Sequence, residues 1–218
     1  MVVQIPIQLI QVPPGQRILL HCIDWDTFEA VLEELGEQRS TKIAYDRGVL
    51  EIMAPLPIHE FDKEIISDLL KAFLEELEIE FLTLGSTTFK NKAMLQGIEP
   101  DQCFYIQNEL RVRGKNRLDL AIDPPPDLAL EVDVTSRTHP GIYAALGVPE
   151  LWRRDNHLIR VYVLQTGEYV EVDDSPTAPG WQLASVIPQY VEQSRAIGRN
   201  KTMRAFRTWV RAELEKRG

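Results

Sequence analysis

The nine residues PDLALEVDV, 126–134, constrain the fold more than any other stretch of the chain. Leu128, Leu130, Val132 and Val134 alternate with Ala129, Glu131 and Asp133, and strand side chains point to opposite faces in turn. One face is wholly apolar, as a strand inside a sheet requires, while the other carries two carboxylates. Two unpaired acids beside a core would cost several kcal/mol, the order expected for buried ions. Three arrangements remove that conflict. A divalent cation can take the carboxylate oxygens, which are the hard ligands Mg2+ favours. An edge strand can leave the acidic face wet, or an arginine such as Arg117 can pair with it.

Elements on either side place this strand near the middle of the chain. RILLHC (17–22) predicts a strand, and DWDTFEAVLEELGE predicts a helix with an aspartate near its start and Gly36 near its end. KIAYDRGVLEIMAP reads as a hairpin turning at Asp46-Arg47-Gly48. In PIHEFDKEIISDLLKAFLEELE, Ile65, Leu69, Phe73 and Leu77 recur every fourth residue beside Ile66, Leu70 and Leu74, so a long helix with one apolar face follows. Further strands are expected in IEFLTLGS and up to GIEPDQCFYI. A short helix in GIYAALGV is closed by Gly147, and strands follow in ELWRRD, LIRVYVL and GEYVEVD. The segment 201–217 closes the chain as a helix. Helices and strands do not alternate regularly, which predicts an α/β fold with a mixed sheet.

A chain of 218 residues is one domain's worth. It is read as a single domain, with 1–40 as an N-terminal extension packing on the core, 41–165 as the core, and 166–218 as C-terminal strands and helix. No run approaches the roughly 18 apolar residues of a membrane span. The start has no basic region and is broken by Pro6, Pro13 and Pro14, so a cytoplasmic location with no membrane partner is expected. Cys22 and Cys103 form neither a disulfide framework nor a zinc spacing, and the four histidines, at 21, 59, 139 and 157, show no ligand spacing. A net charge of −9 argues against non-specific coating of nucleic acid, which basic surfaces drive, and fits a site that gathers acids around a cation. Walker loops, dinucleotide glycine patterns and a Ser, Cys and His set for covalent catalysis are absent.

A second acid lies upstream. Asp101 follows Pro100 at the entry of a strand-like run, thirty residues before Glu131. An aspartate at a strand start and a glutamate on its neighbour can share one cation and leave positions for water and phosphate oxygen. Pro-Asp also caps turns, and that alternative stays open. Glu60 and Glu64 lie four apart on one face of the long helix and offer a third acid, although acids in a first turn are favoured by the helix dipole alone.

Pro100-Asp101 followed by Glu131-Val132-Asp133 resembles the bipartite signature of the PD-(D/E)XK nuclease superfamily. The longer strings YDRGVLEIMAPLPIHE, PPDLALEVDVTS and YAALGVPELWRRD resemble its large bacterial family of restriction endonuclease-like proteins. The resemblance implies a restriction endonuclease-like fold: a central mixed β-sheet flanked by helices, with an added N-terminal strand and helix and a C-terminal helix. It implies a DNA endonuclease that hydrolyses phosphodiester bonds with water activated by Mg2+ or Mn2+. Asp101 and Glu131 match the two metal-binding acids, and Glu60, or Glu64, matches the acid of the first core helix. The motif's lysine, two residues after the strand acid, is replaced by Asp133, which can add an oxygen but cannot act as a cation. Arg137 is the nearest basic residue, able to hold a phosphate oxygen but not to act as a base at neutral pH. A homodimer is expected for an enzyme of this type that cuts both strands.

Arg111, Arg113, Lys115 and Arg117 surround Gly114 in a polar segment just before the acid strand. They read either as a track for a phosphate backbone or as a solvated loop. Arg204, Arg207 and Arg211 form a stripe on the last helix, read as its wet face. The replaced lysine supports a rival reading, a nuclease fold without cleavage that binds DNA or self-associates. A phosphohydrolase acting on small phosphate esters is a third.

Overall fold

A computed structural model describes residues 6–36, 39–85, 87–133, 139–155 and 157–217, with residue 133 described by its backbone alone. In chain order the elements are β1 (Arg17–His21), α1 (Trp25–Leu35), β2 (Lys42–Asp46), β3 (Val49–Met53), α2 (Pro57–Glu76), β4 (Leu82–Thr83), β5 (Phe89–Asn91), β6 (Gln96–Ile98) and β7 (Gln102–Tyr105). They continue with the one-turn α3 (Glu109–Val112), β8 (Leu128–Asp133), α4 (Pro140–Ala145), β9 (Glu150–Asp155), β10 (Leu158–Gln165), β11 (Glu168–Val172), α5 (Leu183–Ile197) and α6 (Arg199–Arg217).

The strands form two sheets. One is antiparallel, in the order β1-β3-β2-β6-β5. The other runs β11-β10-β9-β8-β7-β4, and its β8–β9 pair is parallel while the remaining pairs are antiparallel. The expected mixed sheet flanked by helices is therefore present, accompanied by a second sheet that the sequence reading does not contain. The N-terminal strand joins this second sheet, pairing with β3.

Local chemistry accounts for several boundaries. Asp24 caps α1 by accepting a hydrogen bond from the Thr27 N–H at 2.8 Å, which satisfies one of the unpaired donors of a helix start. Gly36 closes α1 with φ +68°. The β2–β3 hairpin turns through Arg47 and Gly48, both at positive φ, the backbone that matches the twist of paired strands. Pro57 stands at the start of α2, where its missing N–H costs no helical bond.

The apolar side chains of β8, Leu128, Ala129, Leu130 and Val132, are buried on both of its faces, while Glu131 is half-buried. Leu128, Leu130 and Val132 join Ile65, Leu69 and Phe73 of α2 and Trp152 of β9 in one cluster. Ala129 packs on the opposite side with Cys103, Tyr105, Tyr143 and Leu151. Each fully buried Leu or Val side chain of this strand contributes about 1.5–3 kcal/mol, so β8 is a rigid support for whatever it carries.

α5 has no counterpart in the sequence reading. It holds Pro188 in its interior and packs against β10, α2 and α6. Internal proline weakens a helical pattern, and the buried Leu183, Ile187 and Val191 of α5 supply the compensation. Arg207 and Arg211 of α6 pair with Glu75 and Glu76 of α2. That part of the arginine stripe is thus occupied within the molecule. Among the described residues no helix is long and apolar enough to cross a membrane.

Candidate active site

The Pro100-Asp101 step is where the chain leaves one sheet for the other. β6 ends at Ile98 and β7 begins at Gln102, so Glu99, Pro100 and Asp101 make the crossing. Within the mixed sheet Gln102 pairs with Leu130 and Cys103 with Ala129. Continuing that antiparallel register by one residue sets Asp101 across from Glu131. The two acids, thirty residues apart in sequence, thus meet through strand pairing.

Asp101 is 2% exposed. One carboxylate oxygen, Oδ2, accepts the backbone N–H of Val132 at 2.6 Å, and Oδ1 meets the Nζ of Lys42, at the start of β2. Asp101 therefore ties the acid strand of one sheet to the hairpin of the other. Glu131 accepts a hydrogen bond from the hydroxyl of Tyr143 on α4. Burial, reinforced by the Glu131 charge and that bond, holds the Tyr143 hydroxyl well above the usual phenol range, so it remains a donor.

A third carboxylate faces the same region. Glu51 on β3 is buried and contacts Arg17 of β1 at 3.1 Å and His139, which precedes α4, at 3.2 Å. Burial works to raise the Glu51 carboxyl, but the His139 and Arg17 contacts outweigh it and hold it below the usual range. The bond to Glu51 raises His139 against the opposing effect of burial, and Glu131 adds a smaller push in the same direction. Glu51 was missed in the sequence, although VLEIM carries an acid inside an apolar strand just as LALEVDV does. Lys42 was missed as well, and no local pattern signals it.

Glu60 stands in the first turn of α2, is half-exposed and bonds Lys63; Glu64 is more exposed and lies 3.7 Å from the same lysine. Glu60 lines a cleft of about 600 Å³ with Arg39, Lys42, Lys63 and Glu99, and so shares that cleft with the lysine that meets Asp101. Asp133 continues the β8 backbone opposite Asp155, with its side chain outside the described residues. Arg137 lies outside the described residues altogether.

Arg113 and Lys115 of the basic segment 111–117 have acidic partners nearby. Arg113 binds Glu109 through two bonds of 2.6 Å, Lys115 pairs with Asp123, and Arg111 donates to the Asn108 side chain at 3.4 Å. Arg117 is exposed.

The donor chemistry of Asp101 and Glu131 suits a hard divalent ion. Mg2+ is commonly held by one or two carboxylates, with water and substrate phosphate completing its shell. Among the described residues no three His, Cys, Asp or Glu side chains converge as a ready cage, so such an ion would draw its remaining ligands from solvent and substrate.

Residues 25–196 match the Uma2 family model, described as "Putative restriction endonuclease". Among solved structures, the chain is similar to one described as a putative nuclease belonging to DUF820 from Anabaena variabilis. That alignment has 16% identity and a TM-score of 0.46, and covers 74% of this chain and 90% of the other. No curated protein matches.

Proposed function

The chain belongs to the Uma2 family of restriction endonuclease-type proteins, and from that premise we propose that it is a divalent-metal-dependent endonuclease that hydrolyses phosphodiester bonds in DNA. The observation that carries the reading is Asp101 buried against the backbone of the strand that bears Glu131. Mg2+ or Mn2+ bound there would acidify a water and offset the charge developing on the phosphate oxygens. Asp101 and Glu131 would hold the ion, with Asp133 adding an oxygen and Glu60 approaching from the cleft. The Val132 N–H fixes one Asp101 oxygen in place, and the Tyr143 hydroxyl orients Glu131. Such preorganised partners are what a ligand set needs to hold its geometry. Arg137 and the basic segment 111–117, with Arg117 exposed at its end, would meet phosphates on either side of the scissile bond. A homodimer would place two such sites on opposite strands.

Purified protein incubated with supercoiled plasmid tests the proposal. Cutting that requires Mg2+ or Mn2+ and stops with EDTA supports it. A second reading, a nuclease fold that binds DNA without cutting, is favoured by the aspartate at position 133 where the motif places its lysine. DNA binding with no cutting under every metal tried would select it.

A further inference from the structure

Lys42 connects two features that otherwise look separate. Its ammonium is the charge partner of Asp101, and its stem lines the cleft formed by residues 39–42, the start of α2 and Pro14. Two more cations reach that cleft. Arg39 and Lys63 are as buried as Lys42, each side chain 11–12% exposed. Their acidic partners differ in kind. Glu99 is buried and receives the Ile43 N–H at 3.1 Å as well as Arg39, which makes it a structural anchor. Glu60 is half-exposed and holds Lys63 through an i,i+3 contact, with the exposed Glu64 3.7 Å from the same ammonium, so both acidic partners of Lys63 face solvent.

A lysine and a divalent ion cannot both be the close counter-charge of one buried carboxylate without repelling each other. We propose that Lys42 is an exchangeable counter-ion. Without metal it neutralises Asp101. When a divalent ion takes that carboxylate, Lys42 turns its charge into the adjacent cleft and, with Lys63, holds a phosphate of the bound nucleic acid. The inference rests on the metal reading of Asp101 above. It supplies from β2 the cation that position 133 lacks.

The exchange has a signature that a merely structural residue does not share: loss of Lys42 must strengthen metal binding and weaken nucleic-acid binding together. Lys42→Gln removes the charge and keeps a donor for Asp101, while Lys63→Met removes only the cleft cation. Ca2+ affinity is read by calorimetry. Affinity for a short labelled DNA duplex in Ca2+ is read by fluorescence anisotropy across a salt series. Lys42→Gln is expected to bind Ca2+ about fivefold tighter than wild type, within the range of ordinary coupling between sites. It is expected to bind the duplex more weakly, with a salt slope lower by about one. Lys63→Met is expected to lose duplex affinity with a smaller gain in Ca2+ affinity than Lys42→Gln, because its partner Glu60 is half-exposed. Weakening of both ligands by Lys42→Gln, unchanged Ca2+ affinity, unchanged duplex affinity, or no Ca2+ uptake by the wild type would each overturn the exchange. Opposite shifts in a protein that cuts no DNA would support the exchange and count against the nuclease reading instead.

Discussion

Asp101 and Val132 are joined by a 2.6 Å hydrogen bond from the strand's backbone N–H to the carboxylate, while the other oxygen of Asp101 meets Lys42. One buried side chain therefore links β2, β8 and the crossing between the sheets. Asp101→Ala strands the mostly buried Lys42 without its charge and the Val132 N–H without an acceptor. It is expected to cost about 3–5 kcal/mol of stability, the usual penalty for breaking a buried pair. In a urea double-mutant cycle, adding Lys42→Met to Asp101→Ala should cost less than the sum of the single changes. Strict additivity would show that the pair is not an energetic unit.

Tyr143 donates to Glu131 from a fully buried position. Tyr143→Phe keeps the ring in its packing and removes only the hydroxyl. A hydrogen bond to a charged group contributes about 1.5–3 kcal/mol, and a loss of stability in that range is expected by urea denaturation. Metal-dependent cutting should fall as well, because Glu131 loses the contact that orients it. Unchanged stability and unchanged cutting would assign the hydroxyl no part in holding the acid.

The Glu51–His139 contact makes stability depend on pH in a defined window. The folded His139 is held above 6.5, so its contribution is complete below about 6.5 and fades as pH climbs through the raised value. The folded Glu51 lies below 4.5, so its contribution is complete above about 4.5 and fades as pH falls through the lowered value. The pair is strongest between those limits. The stability advantage of wild type over His139→Gln, measured by urea denaturation, should be larger at pH 5.5 than at pH 8. An advantage that is equal at both values would mean the imidazole carries no pH-linked stabilisation.

Much of this was legible from residue order, and the exceptions have physical causes. The two faces of β8 follow from simple alternation, and Leu128, Leu130 and Val132 do lie on the side away from Ala129. The long apolar stripe of α2 survives because Ile65, Leu69 and Phe73 repeat at helical spacing and all three are buried. α5 escaped notice because Pro188 interrupts it and its support comes from elements distant in sequence. Lys42 carries no local sign of its role. Its position beside Asp101, fifty-nine residues later, exists only because β6 pairs with β2 and the chain then crosses between the sheets at Pro100. Glu51 obeyed the same rule that singled out Glu131, but a hairpin strand with an acid on one face is ordinarily half wet. Its burial depends on His139 and Arg17 arriving from other elements.

If Glu131 and Asp101 form a metal-dependent cutting centre, removing the Glu131 charge must abolish cutting. Wild type and Glu131→Gln, purified in parallel, are incubated with supercoiled plasmid in Mn2+, with an EDTA control. Glu131→Gln preserves the size of the side chain and an acceptor for Tyr143 while removing the charge. Mn2+-dependent nicking is expected of the wild type, with a loss of at least about a hundredfold in the variant, the equivalent of about 2.7 kcal/mol of transition-state stabilisation. Equal nicking by the two proteins would contradict it.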